Sequence, residues 1–161
     1  MNYYVTMNVT PSTSSLFGAV AIENGLIPKP GEYHITIAYL TRWRRAPTVF
    51  ANPNRPVAAT ITGFQVIETR KVGCRPGSRL LVARVEGQGH PSFGGDDIFR
   101  YRNRQILHET EGVTDHKFMA HVTLGTIPDG RVPDLSGLQQ KVGTSISFTG
   151  VEILNTYVLR F

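Results

Sequence analysis

Two histidines, each two residues ahead of a threonine and each set in a run of strand-forming residues, are the groups in this sequence best suited to chemistry. The first run is Tyr33-His34-Ile35-Thr36-Ile37-Ala38-Tyr39-Leu40, and the second is Ala120-His121-Val122-Thr123-Leu124-Gly125-Thr126. Successive side chains of a strand point to opposite faces, so His34 shares a face with Thr36 and His121 with Thr123. Ile35, Ile37, Val122 and Leu124 then point the other way, into a core. Continued alternation puts Ala38 and Gly125 next on the histidine faces, small enough to leave room for a ligand above each polar pair. An imidazole titrates near pH 6.5, so one of two facing histidines can accept a proton while the other donates one. Such a base and acid suit phosphoester cleavage. In hydrolysis of a ribose 2′,3′-cyclic phosphate, one would activate water and the other would protonate the departing ribose oxygen, each step contributing about 10²- to 10⁴-fold. Thr36 and Thr123 would donate to the non-bridging phosphate oxygens as charge builds on them. The scheme requires no metal and no cofactor.

The bare pattern is cheap, and the other matches lack its setting. His90-Pro91-Ser92 falls in a glycine-rich loop, and His108-Glu109-Thr110 falls on a predicted helix, where positions two apart do not share a face. His116 has no matching hydroxyl. These three are expected to face solvent or cap. Cys74 is the sole cysteine, so no internal disulfide and no zinc-type spacing is available, and it reads as a spare thiol in a turn. Glycines 87, 89, 94 and 95 are not followed by Gly-Lys-Ser/Thr, so they make no phosphate-binding P-loop.

The elements that must position the two motifs can be read from local pattern. Tyr3 to Val9 alternates as a first strand. Thr10-Pro11 reads as a helix start, with Leu16, Phe17 and Val20 as its apolar face and Asn24-Gly25 as its stop, and Pro28 to Gly31 is a turn. Thr41 to Pro56 is an irregular basic loop. Val57 to Glu68 and Leu80 to Val85 read as strands, separated by the turn-rich stretch Arg70 to Arg79. Asp96 to Glu111 reads as a helix carrying Arg100, Arg102 and Arg104, with helical spacing putting Arg102 well around from the other two, so a solvated face is expected over a polyanion-binding one. The second motif strand spans about Phe118 to Thr126, one helical turn falls near Leu138 to Val142, and strands close the chain at Ser145 to Leu154 and Tyr157 to Phe161.

A weak internal repeat links the halves. His34 and His121 lie 87 residues apart, and so do the glycines of the only two Thr-Gly dipeptides, Thr62-Gly63 and Thr149-Gly150. Strand, helix, His-x-Thr strand and Thr-Gly strand recur in that order. We expect one domain over residues 1–161 with pseudo-repeats at roughly 1–72 and 79–161, related by a pseudo-twofold axis that brings both histidines to one cleft. At 161 residues, 40% apolar and 18% charged, the composition is that of an ordinary globular domain. A net charge of +5 favours a polyanionic partner, as a matter of attraction. With no leader-like N-terminus and no apolar run of roughly 18 or more residues, a cytoplasmic location, in a bacterial cell or a phage-infected host, is expected, with no membrane association. No obligatory protein partner is evident, which points to a monomer.

At His34-Ile35-Thr36-Ile37 and His121-Val122-Thr123-Leu124-Gly125 the chain resembles the two-histidine (2H) phosphoesterase superfamily, which is defined by paired His-x-Thr/Ser motifs on the two lobes of a LigT-like fold. The second run is similar to that motif as written in tRNA-ligase and myelin-type members. The resemblance implies an α+β fold of two pseudo-symmetric antiparallel β-sheet lobes with flanking helices around a water-filled central cleft. It also implies metal-independent hydrolysis of a nucleotide or RNA substrate, usually leaving a 2′-phosphate. A second substrate class fits the same chemistry: cyclic or 2′-5′-linked oligonucleotide immune signals, as degraded by phage enzymes. From another class, a non-catalytic RNA-end binder on this fold would not need the intact pairs.

Substrate contacts must come from outside the motifs. Trp43, between Arg42 and Arg44, could stack on a base while the arginines meet phosphates, or it could cover an edge of the core beside a solvated loop. Tyr4 and Tyr39, with Tyr3, are further cleft candidates, with core packing as the alternative.

Overall fold

The computed structural model describes residues 2–69, 77–89, 95–114 and 117–157. Cys74, Arg70, the His90-Pro91-Ser92 match, Gly94, His116 and positions 158–161 of the expected last strand lie outside the described residues.

Local chemistry sets most element boundaries. The first strand, β1, is Asn2–Val9, and α1 is Pro11–Glu23 with Pro11 in its first turn. Thr10 stands at the N-cap, yet its hydroxyl bonds Ser147 Oγ at 2.6 Å instead of a helix N–H, so it ties the helix start to the sheet. A two-residue strand β2 (Ile27–Pro28) leads to β3 (His34–Leu40), and β4 (Val57–Glu68) follows the long loop. After β5 (Arg79–Gly87), the Asp97 carboxylate accepts from the backbone N–H of Phe99 and Arg100 and starts α2 (Ile98–Thr110). Glu111, at φ 50°, ends that helix in the left-handed region. The remaining elements are β6 (His121–Thr126), α3 (Leu135–Gln139) and β7 (Ser145–Tyr157).

β7 is one strand where the sequence predicts two. Asn155 and Thr156, which resemble a turn, instead pair with Tyr4 and Tyr3 of β1, and Asn155 Nδ2 donates to Thr6 Oγ1 at 3.1 Å. Among the described residues no helix is long and apolar enough to cross a membrane.

The architecture is α+β, and the strand pairings are antiparallel. Seven strands form one sheet in the order β2-β6-β3-β1-β7-β4-β5, and β5 also pairs with β6, so six of the strands close into a ring. Exchanging β1 with β5, β3 with β6 and β4 with β7 leaves the pairings of that ring unchanged. β1–β3 becomes β5–β6, β1–β7 becomes β5–β4, and β3–β6 and β4–β7 map onto themselves.

Each Thr-Gly dipeptide sits at an irregularity in a long strand. In β4 the pairing with β5 steps from Ile61 to Gly63, and in β7 the pairing with β1 steps between Glu152 and Phe148. β4 stays paired with β5 on both sides of its step, at positions 59–61 and 63–68, while positions 57–60 also pair with positions 145–148 of β7. Gly150 has φ +76°, and a Cβ there would lie 2.3 Å from the Arg55 carbonyl oxygen, so only glycine lets the 51–56 loop cross this bend. The core joins both halves: Val5, Ile35, Ile37 and Phe148 pack in one buried cluster with Leu81, Val122, Leu124 and Phe99.

Candidate active site

The two motif strands meet at the narrowest seam of the ring. One residue pair, Ile35 with Val122, joins β3 to β6, and both side chains are fully buried. One step to either side in an antiparallel register sets His34 across from Thr123 and Thr36 across from His121, all on the face away from the core. Directly opposed side chains stand about 5 Å apart at Cβ. Each histidine thus faces the other motif's threonine.

Both strands then break alternation at the same point. Val5 and Thr6 of β1 pair with Ala38 and Thr36, skipping Ile37, while Leu81 and Val82 of β5 pair with Gly125 and Thr123, skipping Leu124. A one-residue bulge therefore follows each threonine, and the burial sequence along His34–Tyr39 repeats along His121–Thr126. Alternation fails here because two successive residues, Ile37 with Ala38 and Leu124 with Gly125, turn inward. Ala38 is 2% exposed and Gly125 is buried, and of the two only Ala38 borders open space, beside Thr36. Tyr39 and Thr126 take those positions.

Each bulge has its own support. The buried Asn103 side chain on α2 donates to the Ile37 carbonyl at 2.9 Å. At the second bulge β2 lies across Gly125, and a Cβ there would come within 2.6 Å of the Ile27 carbonyl oxygen.

The histidines are oriented alike. His121 Nδ1 donates to the Met119 carbonyl at 2.7 Å, and His34 Nδ1 donates to the Glu32 carbonyl at 3.1 Å, in each case two residues back along the chain. With Nδ1 carrying the proton, Nε2 of each neutral ring keeps its lone pair for the open face. The surroundings differ, however. Lys29 Nζ donates to the same Glu32 carbonyl at 3.2 Å and lies 3.1 Å from His34 Nδ1. Burial pushes the His34 imidazole below its ordinary value; the bond to Glu32 opposes this, and the charges of Lys29 and His121 add to it. Burial also lowers Lys29 and raises the neighbouring Tyr33 hydroxyl.

A cavity of about 400 Å³ opens beside Thr36 and His121, walled by Tyr39 and Ala38, by Ile67 of β4, by Asn103, and by Lys117, Phe118 and Met119 ahead of β6. It lies within the roughly 300–1,000 Å³ range of small-molecule sites and combines apolar walls with a few polar groups. His34 and Thr123 are on the other side of the seam and do not line it.

Of the residues singled out from sequence, the structure brings His34, Thr36, His121, Thr123 and Tyr39 together. Tyr39 also accepts from Asn2 Nδ2 at 2.7 Å. Tyr4 pairs with Tyr39 across β1 and β3 but does not line the cavity. Trp43 packs edge-on against Tyr3, with centroids 4.5 Å apart, partly buried beside the core and outside the cavity lining. Arg42 and Arg44 are exposed; their backbones bond Val113 and Thr110, and neither side chain reaches the cavity lining. His108 is exposed in the last turn of α2, as expected. Arg102 is not on a solvated face. It is 3% exposed, forms a two-pronged ion pair with buried Glu152 at 2.7 and 3.0 Å, and stacks on Phe50 at 3.9 Å, which clamps the 41–56 loop to α2 and β7. Among the described residues no three His, Cys, Asp or Glu side chains are grouped to hold a metal ion.

No protein-family model matches this chain. No curated protein matches it either.

Sequence reasoning missed Lys29, Asn103 and Phe118. Asn103 had a signal, since it shares helical spacing with the apolar Phe99 and Ile106, and a polar residue on that face must find a buried partner. Lys29 and Phe118 carry no local mark, because their roles depend on how the turn before β3 and the segment before β6 fold back.

Proposed function

We propose that this protein is a phosphodiesterase that hydrolyses 2′,3′-cyclic phosphates of RNA ends or nucleotides by paired histidine acid-base catalysis, on a bilobal LigT-like fold of the two-histidine phosphoesterase kind. The observation that carries the reading is the crossed quartet at the β3–β6 seam, where each imidazole faces the partner motif's hydroxyl and each Nδ1 is held on a carbonyl two residues back. A phosphate centred over the seam would receive Thr36 and Thr123 on its non-bridging oxygens and an Nε2 from either side, which suits in-line displacement. Exchange of the ring pairings between halves and the matching bulges support the pseudo-symmetric fold reading. The net charge of +5 favours the approach of such a substrate.

The test is turnover by purified protein across 2′,3′-cyclic mononucleotides, RNAs ending in a cyclic phosphate, 2′-5′ oligoadenylates and cyclic di- and trinucleotides, with the position of the product phosphate determined. Opening of the 2′,3′-cyclic substrates supports the proposal. Cleavage confined to the oligonucleotide signals would keep the chemistry and replace the substrate, and binding of RNA ends without turnover would replace the enzyme with a binding module.

A further inference from the structure

We propose that the cavity beside the seam reads the base of the substrate. Asn103 selects adenine and cytosine, which carry an exocyclic amino group, against hypoxanthine and uracil, which carry an oxygen in the same place. This deepens the phosphodiesterase reading and rests on it.

The cavity lies where the two motif strands part. Beyond the Ile35–Val122 pair β3 and β6 exchange no further pairs, and the cavity fills the gap, with Ile37 to Tyr39 on one side and Phe118, Met119 and His121 on the other. Asn103 shares its helix face with the core residues Phe99 and Ile106, so it reaches this gap from the core side. It is 8% exposed, and its Nδ2 donates to the Ile37 carbonyl at 2.9 Å. A carbonyl can only accept, so the amide cannot turn over and put its oxygen where its nitrogen is. No donor among the described residues reaches Oδ1, and none of their fully buried side-chain polar atoms goes without a partner. Oδ1 is therefore accessible, and the cavity is the open space that Asn103 lines. The gap between the motifs thus holds one fixed, nearly buried acceptor.

A base in this cavity is sorted by what it turns toward Oδ1. The 6-amino group of adenine and the 4-amino group of cytosine donate, whereas the oxygens of hypoxanthine and uracil accept and set oxygen against oxygen. The other polar groups of the wall do not counter that choice. Thr36 and His121 face the phosphate over the seam. The Tyr39 and Thr114 hydroxyls can donate or accept and so accommodate either kind of base, and Lys117 is exposed, so its ammonium keeps its water. The bond that fixes Oδ1 also holds the residue after Thr36, so a single contact sets the base reader relative to a phosphate-binding hydroxyl.

The experiment measures kcat/KM of wild-type protein, Asn103→Leu and Gly125→Ala on the 2′,3′-cyclic phosphates of adenosine, inosine, cytidine and uridine. Wild type should prefer adenosine over inosine and cytidine over uridine by about 5- to 150-fold, the effect of leaving a buried acceptor unpaired. Purine riboside 2′,3′-cyclic phosphate, with hydrogen in place of the amino group, should also fall below adenosine, a test on wild type that does not depend on how a variant folds. Asn103→Leu should bring both ratios close to one, whatever it loses in overall rate. Gly125→Ala disturbs the other bulge and leaves Asn103 in place, so it should lower the rates and keep the ratios. The assignment is overturned by equal kcat/KM within the wild-type pairs, by purine riboside matching adenosine, or by ratios that survive Asn103→Leu. Loss of the ratios in Gly125→Ala overturns it too, because selectivity would then come from the rigidity of the whole site. A wild-type protein that opens all four diesters without preference leaves the phosphodiesterase reading standing, whereas one that opens none overturns both.

Discussion

Replacing Asn103 by leucine removes one hydrogen bond from the site's foundations while nearly preserving side-chain volume. Asn103 Nδ2 donates to the carbonyl of Ile37, the residue that the β1 pairing skips, and that carbonyl sits among buried side chains. Leucine leaves the oxygen without this donor. An unsatisfied buried carbonyl costs about 1–3 kcal/mol, and the added apolar contact of leucine offsets part of it, so a net loss of about 1–2 kcal/mol is expected. For a chain of this size that corresponds to a melting midpoint lower by about 3–6 °C. The bulge also puts Tyr39 on the open face next to Thr36, so loosening it should reduce kcat as well as stability. Urea denaturation followed by Trp43 fluorescence measures the first effect, and an unchanged slope would show that the denatured state is not responsible. A variant within about 0.5 kcal/mol of wild type would refute the claim that α2 holds this bulge.

Other perturbations probe the remaining supports. Gly125→Ala places a methyl group 2.6 Å from the Ile27 carbonyl oxygen, so β2 must move; faster amide exchange at Ile27, together with loss of the Lys29 contact to His34, is expected. Arg102→Met strands the buried Glu152 carboxylate and should cost about 3–5 kcal/mol in urea unfolding, whereas Arg102→Met with Glu152→Leu should recover most of that. Because the folded His34 titrates below its unfolded value, the unfolded state binds more protons as pH falls below about 6.5, and the fold loses stability there until His34 protonates in the native state too. His34→Gln should therefore unfold at a higher urea concentration relative to wild type at pH 5 than at pH 7.5, and an equal difference at both would contradict the direction of the shift.

The legible part of this protein was the part governed by nearest neighbours. Thr10-Pro11 and Asn24-Gly25 bracket α1, Val57 to Glu68 alternates as one strand, and each His-x-Thr run has the alternation that buries Ile35 and Val122 beneath its imidazole and hydroxyl. Alternation misled at Ala38 and Gly125, because a bulge is decided by partner strands and by supports such as Asn103 and Ile27 that lie far along the chain. Arg102 misled for a related reason, and the sequence could not choose between the two readings open for Trp43. Their partners Tyr3, Phe50 and Glu152 become neighbours only after the 41–56 loop folds back on α2 and β7. The 87-residue spacing of the two Thr-Gly pairs was visible, but not that each marks an irregularity in the pairing of a long strand.

The most direct measurement is the rate at which the cyclic phosphate resonance disappears in phosphorus NMR when wild-type protein, His34→Ala and His121→Ala are each incubated with an RNA ending in a 2′,3′-cyclic phosphate. Paired acid-base catalysis predicts conversion to a phosphomonoester by wild type and a rate lower by about 10²- to 10⁴-fold in each variant. Conversion at the wild-type rate by either variant, with its fold intact by circular dichroism, would contradict it.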